Sequence, residues 1–135
     1  MSAKDKYHDI VIHALQKEGW HILGEQQRLI VETRTVWIDI RAVKDVPANV
    51  IFVEVKNYEN IPSPVAYLES VLGQYLLYRA IITSSNRDEE LYLALPQQAM
   101  DGIFGEELGK LAIRYYNLKI IVFDVQKESI IQWIT

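Results

Sequence analysis

The chain has 135 residues, no cysteine, and a formal net charge of −4 from 14 basic and 18 acidic side chains. This length fits a single domain over 1–135, and the lack of cysteine excludes disulfides, thiolate metal sites and cysteine nucleophiles. The N-terminus is polar and no apolar run approaches roughly 18 residues, so we expect a cytoplasmic protein without signal peptide or membrane contact. The acidic balance argues against nucleic-acid binding by overall charge, although a metal site is itself acidic.

The chain begins with a predicted helix over 3–18. Its apolar residues recur at the i, i+3, i+4 spacing of a one-sided stripe, and Gly19 is a natural stop. Two short strands, over 20–23 and 28–31, are expected around a turn at Gly24. The sequence therefore predicts a helix followed by a small hairpin.

Two longer strands follow, over 35–42 and 50–55, separated by a break at Pro47, Ala48 and Asn49. The first alternates, which predicts that its two sets of side chains lie on opposite faces of the sheet. One set is Val36, Ile38 and Ile40, and the other is Trp37, Asp39 and Arg41. The second strand is almost entirely β-branched and aromatic, as is typical of a central strand covered on both faces.

A long helix is predicted from Ser63, which can cap it with Pro64 in the first position, to about Thr83. It carries two stripes of mostly apolar side chains on nearly opposite faces. These are Val65, Leu68, Leu72, Tyr75 and Leu76 on one face, and Tyr67, Val71, Gln74 and Tyr78 on the other. A helix of this kind is sandwiched between layers of one domain or between subunits, so we expect a homodimer.

The remaining pattern predicts a strand, two short helices and two strands. Their expected ranges are 91–95, 97–104, 106–115, 118–124 and 129–133. The complete order is typical of a mixed-sheet α/β or α+β domain.

Three charged residues are candidates for chemistry. Glu54 and Lys56 are two residues apart at the end of the apolar strand and so share a face, and Asp39 is near the end of the preceding strand. If the strands pair as a hairpin, the two carboxylates converge, and their repulsion would be relieved by Mg²⁺ or Mn²⁺. Lys56 could then orient or deprotonate an attacking water while the metal polarises a phosphoryl oxygen. Alternatively, Glu-x-Lys is a solvated strand face or a structural salt bridge.

Six segments also resemble a known family. They are AKDKYHDIVIHALQKEGW, WIDIRA, VIFVEVKNY, ESVLGQYLLYRAI, LYLALP and LKIIVFDVQKESIIQWI, which together run over nearly the whole chain. The chain resembles the XisH-like family, the fdxN element excision controlling factors. The resemblance implies a restriction-endonuclease-like three-layer fold, with a central mixed sheet flanked by helices and the PD-(D/E)xK arrangement. It further implies a role in programmed DNA excision in cyanobacteria, beside a site-specific recombinase and a small XisI-like partner.

The resemblance also implies roles for individual residues. Asp39 takes the place of the first acid of the motif, Glu54 and Lys56 take the places of the second acid and the lysine, and Gln74 matches a helix glutamine near the site. His8 stands where many such nucleases have a glutamate, and it is either a third metal ligand or a locally bonded histidine. Two functions remain open. One is a Mg²⁺-dependent endodeoxyribonuclease, and the other is a non-catalytic accessory factor that controls a recombinase through protein or DNA binding.

Overall fold

The computed structural model describes residues 6–45 and 48–135. In chain order its elements are α1 (His8–Lys17), β1 (His21–Val31), β2 (Arg34–Asp45), β3 (Ala48–Val55), α2 (Pro64–Ser84), β4 (Glu90–Pro96), α3 (Gln97–Asp101), a 3₁₀ helix (Ile103–Gly105), α4 (Glu107–Tyr116), β5 (Ile120–Asp124) and β6 (Ser129–Ile134). None of the described helices, including the 21-residue α2, combines the length and apolarity needed to cross a membrane.

The six strands form one mixed sheet in the order β1-β2-β3-β4-β5-β6. The three central strands run parallel, and the pairs β1–β2, β2–β3 and β5–β6 are antiparallel. One apolar core packs α2 and the short helices against one face of the sheet, and a second packs α1 against the other. The predicted fold class, a central mixed sheet flanked by helices in three layers, is confirmed.

The ends of several elements are as the sequence predicts. Gly19, with φ +90°, ends α1 in a backbone conformation that residues other than glycine rarely adopt. Ser63 caps α2 by accepting a hydrogen bond from the backbone of Ala66 at 3.2 Å, with Pro64 at the first position. Within the described residues α1 begins only at His8, while 1–5, where the predicted start fell, and Pro47 lie outside them. The break predicted at Ala48 and Asn49 is wrong, because both residues belong to β3 and pair with the end of β2.

Two predictions about the first strands are wrong. The region around Gly24 is not a turn between two short strands, because β1 is a single strand of 11 residues. Its pairing with β2 shifts register between Ile22 and Gly24, and the strand continues through this point. Ile38 and Ile40 do not share a face. Ile38 packs in the core beneath α2, whereas Ile40 packs in the core beneath α1. The regular two-residue alternation therefore fails at the residue between them, Asp39.

Candidate active site

At Asp39 the side chains of β2 and β3 take over hydrogen bonds that backbone groups make elsewhere. Regular pairing of the two strands extends to Ile40 and Val53. Beyond it, the backbone N–H of Val55 donates to Asp39 Oδ2 at 2.7 Å, and the backbone N–H of Asp39 donates to Glu54 Oε1 at 3.2 Å. This exchange lies where the alternation breaks, and it holds both carboxyl groups side by side at one point of the sheet.

Lys56 completes the charged cluster. Its Nζ lies 3.6 Å from Glu54 Oε2, and its backbone N–H donates to the carbonyl of Ala94 at 3.0 Å. The lysine side chain is 25% exposed and that of Glu54 only 8%, so the lysine is partly open to solvent while Glu54 is nearly buried. The backbone of the lysine is therefore held by the central strand β4, and its side chain bridges the buried acid and the surface.

Asp39, Glu54, Lys56 and Gln74 all line one pocket of about 400 Å³. Its other walls come from the β1–β2 hairpin, from the segment after β3 and from α2. They are Thr35, Val36, Trp37, Val55, Asn57, Tyr67 and Tyr78. The four polar side chains therefore converge in one pocket, as the sequence predicts.

Burial and neighbouring charge make this pocket electrostatically unusual. Burial, followed by the negative charge of Asp39, raises the pKa of Glu54 from 4.5 to about 8, and Lys56 only partly offsets these two effects. At neutral pH, Glu54 without a cation therefore holds a proton next to an acidic neighbour. Burial and the charge of Glu54 also raise the pKa of Tyr78. Perturbed acids that converge in one cleft are a feature of functional sites.

Comparison with known proteins agrees with the resemblance seen in the sequence. The model of the XisH protein family matches residues 1–131. The chain belongs to the XisH family. An XisH family protein from Nostoc punctiforme PCC 73102 is 30% identical, with a TM-score of 0.89 over 97% of this chain and 100% of the other. An fdxN element excision controlling factor protein from Anabaena variabilis is 31% identical, with a TM-score of 0.90 over 98% and 100%. No curated protein matches.

In this XisH-family chain, Gln74 is held by Tyr78, for which the sequence pattern predicts only packing. Gln74 Nε2 donates to the hydroxyl of Tyr78, one helical turn along α2, at 3.0 Å. Gln74 Oε1 is buried and accepts no hydrogen bond from any described residue. The i, i+4 spacing of the two residues in the sequence is the signal that could have identified the pair. The amide therefore presents an unused acceptor at the wall of the pocket.

His8 occupies a different place from the four residues of the pocket. Its side chain is fully buried at the start of α1, it does not line the pocket, and its Nε2 lies 2.7 Å from Glu25 Oε1. Oxygen or nitrogen atoms of His8, Asp9 and Glu25 lie within 4.8 Å of one another. The contact with Glu25 agrees with the expectation of a locally bonded histidine. The role of His8 as a metal ligand beside Asp39 and Glu54 stays a prediction.

Proposed function

We propose that this protein acts on DNA and hydrolyses phosphodiester bonds in the pocket of Asp39, Glu54, Lys56 and Gln74. The observation that carries the proposal is the convergence of two carboxyl groups and a lysine at the point where β2 and β3 stop pairing. Acidic oxygens suit a hard divalent cation, and an ammonium group suits the negative charge that develops on a phosphoryl group.

The donor set fits Mg²⁺ or Mn²⁺. A buried Glu54 whose pKa is about 8, next to a second carboxyl group, gains its ionised form when a cation neutralises the pair. Asp39 and Glu54 would hold the ion through oxygens already positioned by backbone N–H groups. When bound, the ion would polarise a phosphoryl oxygen and lower the pKa of a water.

The other side chains of the pocket would act on the water and the phosphate. Lys56, 3.6 Å from Glu54 and partly exposed, would orient the attacking water or stabilise the charge of the transition state. Gln74 would accept a hydrogen bond from that water through Oε1, with its amide orientation fixed by Tyr78. In the reaction the water oxygen bonds to phosphorus, the bond to the sugar oxygen breaks, and that oxygen takes a proton.

The biological context comes from a relative. The Anabaena variabilis protein is described as an fdxN element excision controlling factor, and we extend that role to this chain. We propose that it works in DNA excision in a cyanobacterial cytoplasm, beside a site-specific recombinase and a small XisI-like partner protein. Such a partner would compensate for the net charge of −4, which by itself weakens attraction to DNA.

The test combines cation binding with DNA cleavage by the full chain. Wild type should bind Mg²⁺ or Mn²⁺ in titration calorimetry and should nick single-stranded, duplex or branched DNA, and Asp39→Asn should lose both properties. Asp88→Asn, which changes an exposed acid between α2 and β4 outside the pocket, is the matched control and should keep cleavage. A wild type that neither binds millimolar cation nor nicks any of these DNAs, with or without the XisI-like partner, would refute hydrolysis.

The alternative function is a non-catalytic accessory factor that uses the same scaffold to bind protein or DNA. Two features favour it: the overall acidic charge, and His8, which pairs with Glu25 and stands where the resemblance implies a glutamate in many nucleases. Under this alternative, wild type and Asp39→Asn would control excision equally well.

We also propose that the chain forms a homodimer. Part of the apolar surface of α2 stays open, since α2 and α4 enclose an apolar cleft of about 510 Å³ that includes Val65, Leu72 and Leu111. Leu111 is 49% exposed. Light scattering should give twice the mass of the monomer for wild type and a smaller mass for Leu111→Asp. A monomeric wild type at micromolar concentration would refute the dimer.

A further inference from the structure

The hairpin of β1 and β2 extends past the rest of the sheet. β2 pairs with β3 only from Ile40 onward, so residues 27–38 of the two strands pair with each other alone. We call these residues the hairpin arm. Its base is packed in the core through Leu29 and Ile38, and every residue from Ile30 to Thr35 is exposed. The arm is thus a two-stranded ribbon that is firmly held at one end and open to solvent at the other.

The charge of the arm differs from that of the rest of the chain. It carries two arginines, Arg28 and Arg34, and one acid, Glu32, which gives a local charge of +1 in a chain whose net charge is −4. Both arginines are exposed, and neither has a carboxylate partner within residues 6–45 and 48–135. By contrast, five other cationic side chains lie within 4.0 Å of a carboxylate: Lys6, Arg41, Lys56, Arg87 and Lys119. The two arginines are therefore available to an anionic partner.

The arm is also part of the pocket. Thr35, Val36 and Trp37 line it, and Trp37 lies directly opposite Arg28 in the hairpin. Five residues of extended chain separate Arg34 from Asp39, a distance of about 16 Å at about 3.3 Å per residue. At about 3.4 Å per nucleotide along a strand, this distance spans roughly five base pairs. A duplex with a phosphate at the carboxyl pair would therefore run along the arm.

The two arginines point to opposite faces of the ribbon. Arg28 shares a face with its cross-strand partner Trp37, and Arg34 shares a face with Val31 and, two residues on, Val36. A groove of DNA has a row of phosphates on each side, and the major groove is wide enough for a two-stranded ribbon. A ribbon in the groove with one arginine on each face can therefore contact both rows.

From these observations we infer that the hairpin arm binds duplex DNA beside the pocket, with Arg28 and Arg34 on phosphates of the two strands. The inference rests on the proposed function for its substrate and adds the surface that holds that substrate. The exposed apolar side chains Ile30 and Val31 would contact sugars or thymine methyl groups within the groove. Glu32 at the tip opposes the interaction, since its carboxylate lies next to the phosphates.

The test measures binding of a labelled duplex by fluorescence anisotropy in EDTA, so that hydrolysis does not interfere. The double variant Arg28→Gln/Arg34→Gln should weaken binding at least tenfold at low salt. It should also lower the slope of log affinity against log salt by about 2, because two phosphate contacts are lost. The matched control, Lys110→Gln/Arg114→Gln on α4, makes the same change in charge at two exposed cations and should keep the wild-type slope. Glu32→Gln should tighten binding.

The outcomes separate this inference from the proposed function. Equal affinity and slope for wild type and the arm double variant would overturn the arm as a DNA-binding surface, and so would a wild type that binds no duplex. Either result leaves cation-dependent hydrolysis to be judged by the Asp39→Asn comparison. Intact, arm-dependent binding without hydrolysis would refute only the proposed function. A change in oligomeric mass without a change in DNA affinity would make the arm an interface between copies and would also overturn the inference. Circular dichroism melts should show that both double variants fold.

Discussion

Replacing Glu54 by glutamine tests the electrostatics of the pocket directly. The amide has nearly the shape of the carboxyl group and can still accept the hydrogen bond from the backbone of Asp39. What it removes is a titratable group whose pKa is raised to about 8, first by burial and then by the charge of Asp39. The substitution therefore separates the cost of a buried charge from the packing of the side chain.

The sign of the effect follows from the direction of the pKa shift. The folded state holds the Glu54 proton more tightly than the unfolded state, whose pKa is near 4.5. The stability that this proton contributes is complete below about pH 4.5 and is lost as the pH rises toward about 8. A rise from 4.5 to about 8 at about 1.36 kcal/mol per unit sets an upper limit of about 5 kcal/mol on the loss. We expect about 2–5 kcal/mol.

The assay is urea unfolding followed by circular dichroism at a series of pH values in EDTA. Wild type should lose stability from pH 4.5 to 8 relative to Glu54→Gln, and Glu69→Gln, at an exposed acid on α2, should follow wild type. Added Mg²⁺ should restore wild type at high pH and should bind Glu54→Gln more weakly. Parallel stability curves for wild type and Glu54→Gln over this range would refute the reasoning, because Glu54 would then carry no raised pKa for a cation to relieve.

Other substitutions test separate parts of the molecule. Lys56→Ala should abolish DNA hydrolysis while calorimetry still detects cation binding, and a loss of cation binding would refute this division of roles. Gly73→Ala should stabilise α2 by about 0.5–1 kcal/mol in thermal melts, because nothing lies within 4 Å of the added carbon. Gly109→Ala should destabilise by about 1–3 kcal/mol, because its Cβ would collide with the backbone of Ile103. The pKa of Glu89 is lowered to about 2, chiefly by its hydrogen bond with an arginine, so it stabilises the fold above about pH 4.5. This stabilisation should be lost as the pH falls toward 2. Over that pH range the free energy of unfolding of Glu89→Gln should fall by about 1–2 kcal/mol less than that of wild type.

Local chemistry explains what could be predicted from the sequence. The cap of α2 depends on Ser63 and Pro64, which act within a few residues of themselves, and the end of α1 depends on Gly19. The shared face of Glu54 and Lys56 follows from the two-residue period of a strand. Convergence with Asp39 requires only that two consecutive strands form a hairpin. Each of these inferences uses contacts that are close in the sequence or fixed by a regular repeat.

The same rule of alternation failed at Asp39, where long-range contacts compete with the repeat. The carboxyl groups of Asp39 and Glu54 take hydrogen bonds from backbone groups of the opposite strand, and Ile38 and Ile40 then pack in different cores. The turn expected at Gly24 failed for a similar reason, since pairing with β2 along the whole of β1 outweighs the local preference of one glycine.

The sequence by itself determined most of the elements, their order and the residues able to do chemistry, because those depend on local preference and on side-chain type. Only the tertiary structure decided how these residues are used. It paired His8 with Glu25 and turned the amide of Gln74 toward Tyr78. It also buried Glu54 deeply enough to move its pKa to about 8. Burial, hydrogen-bond partners and the distance between charges exist only once distant segments have packed together, and these three quantities set the chemistry of the pocket.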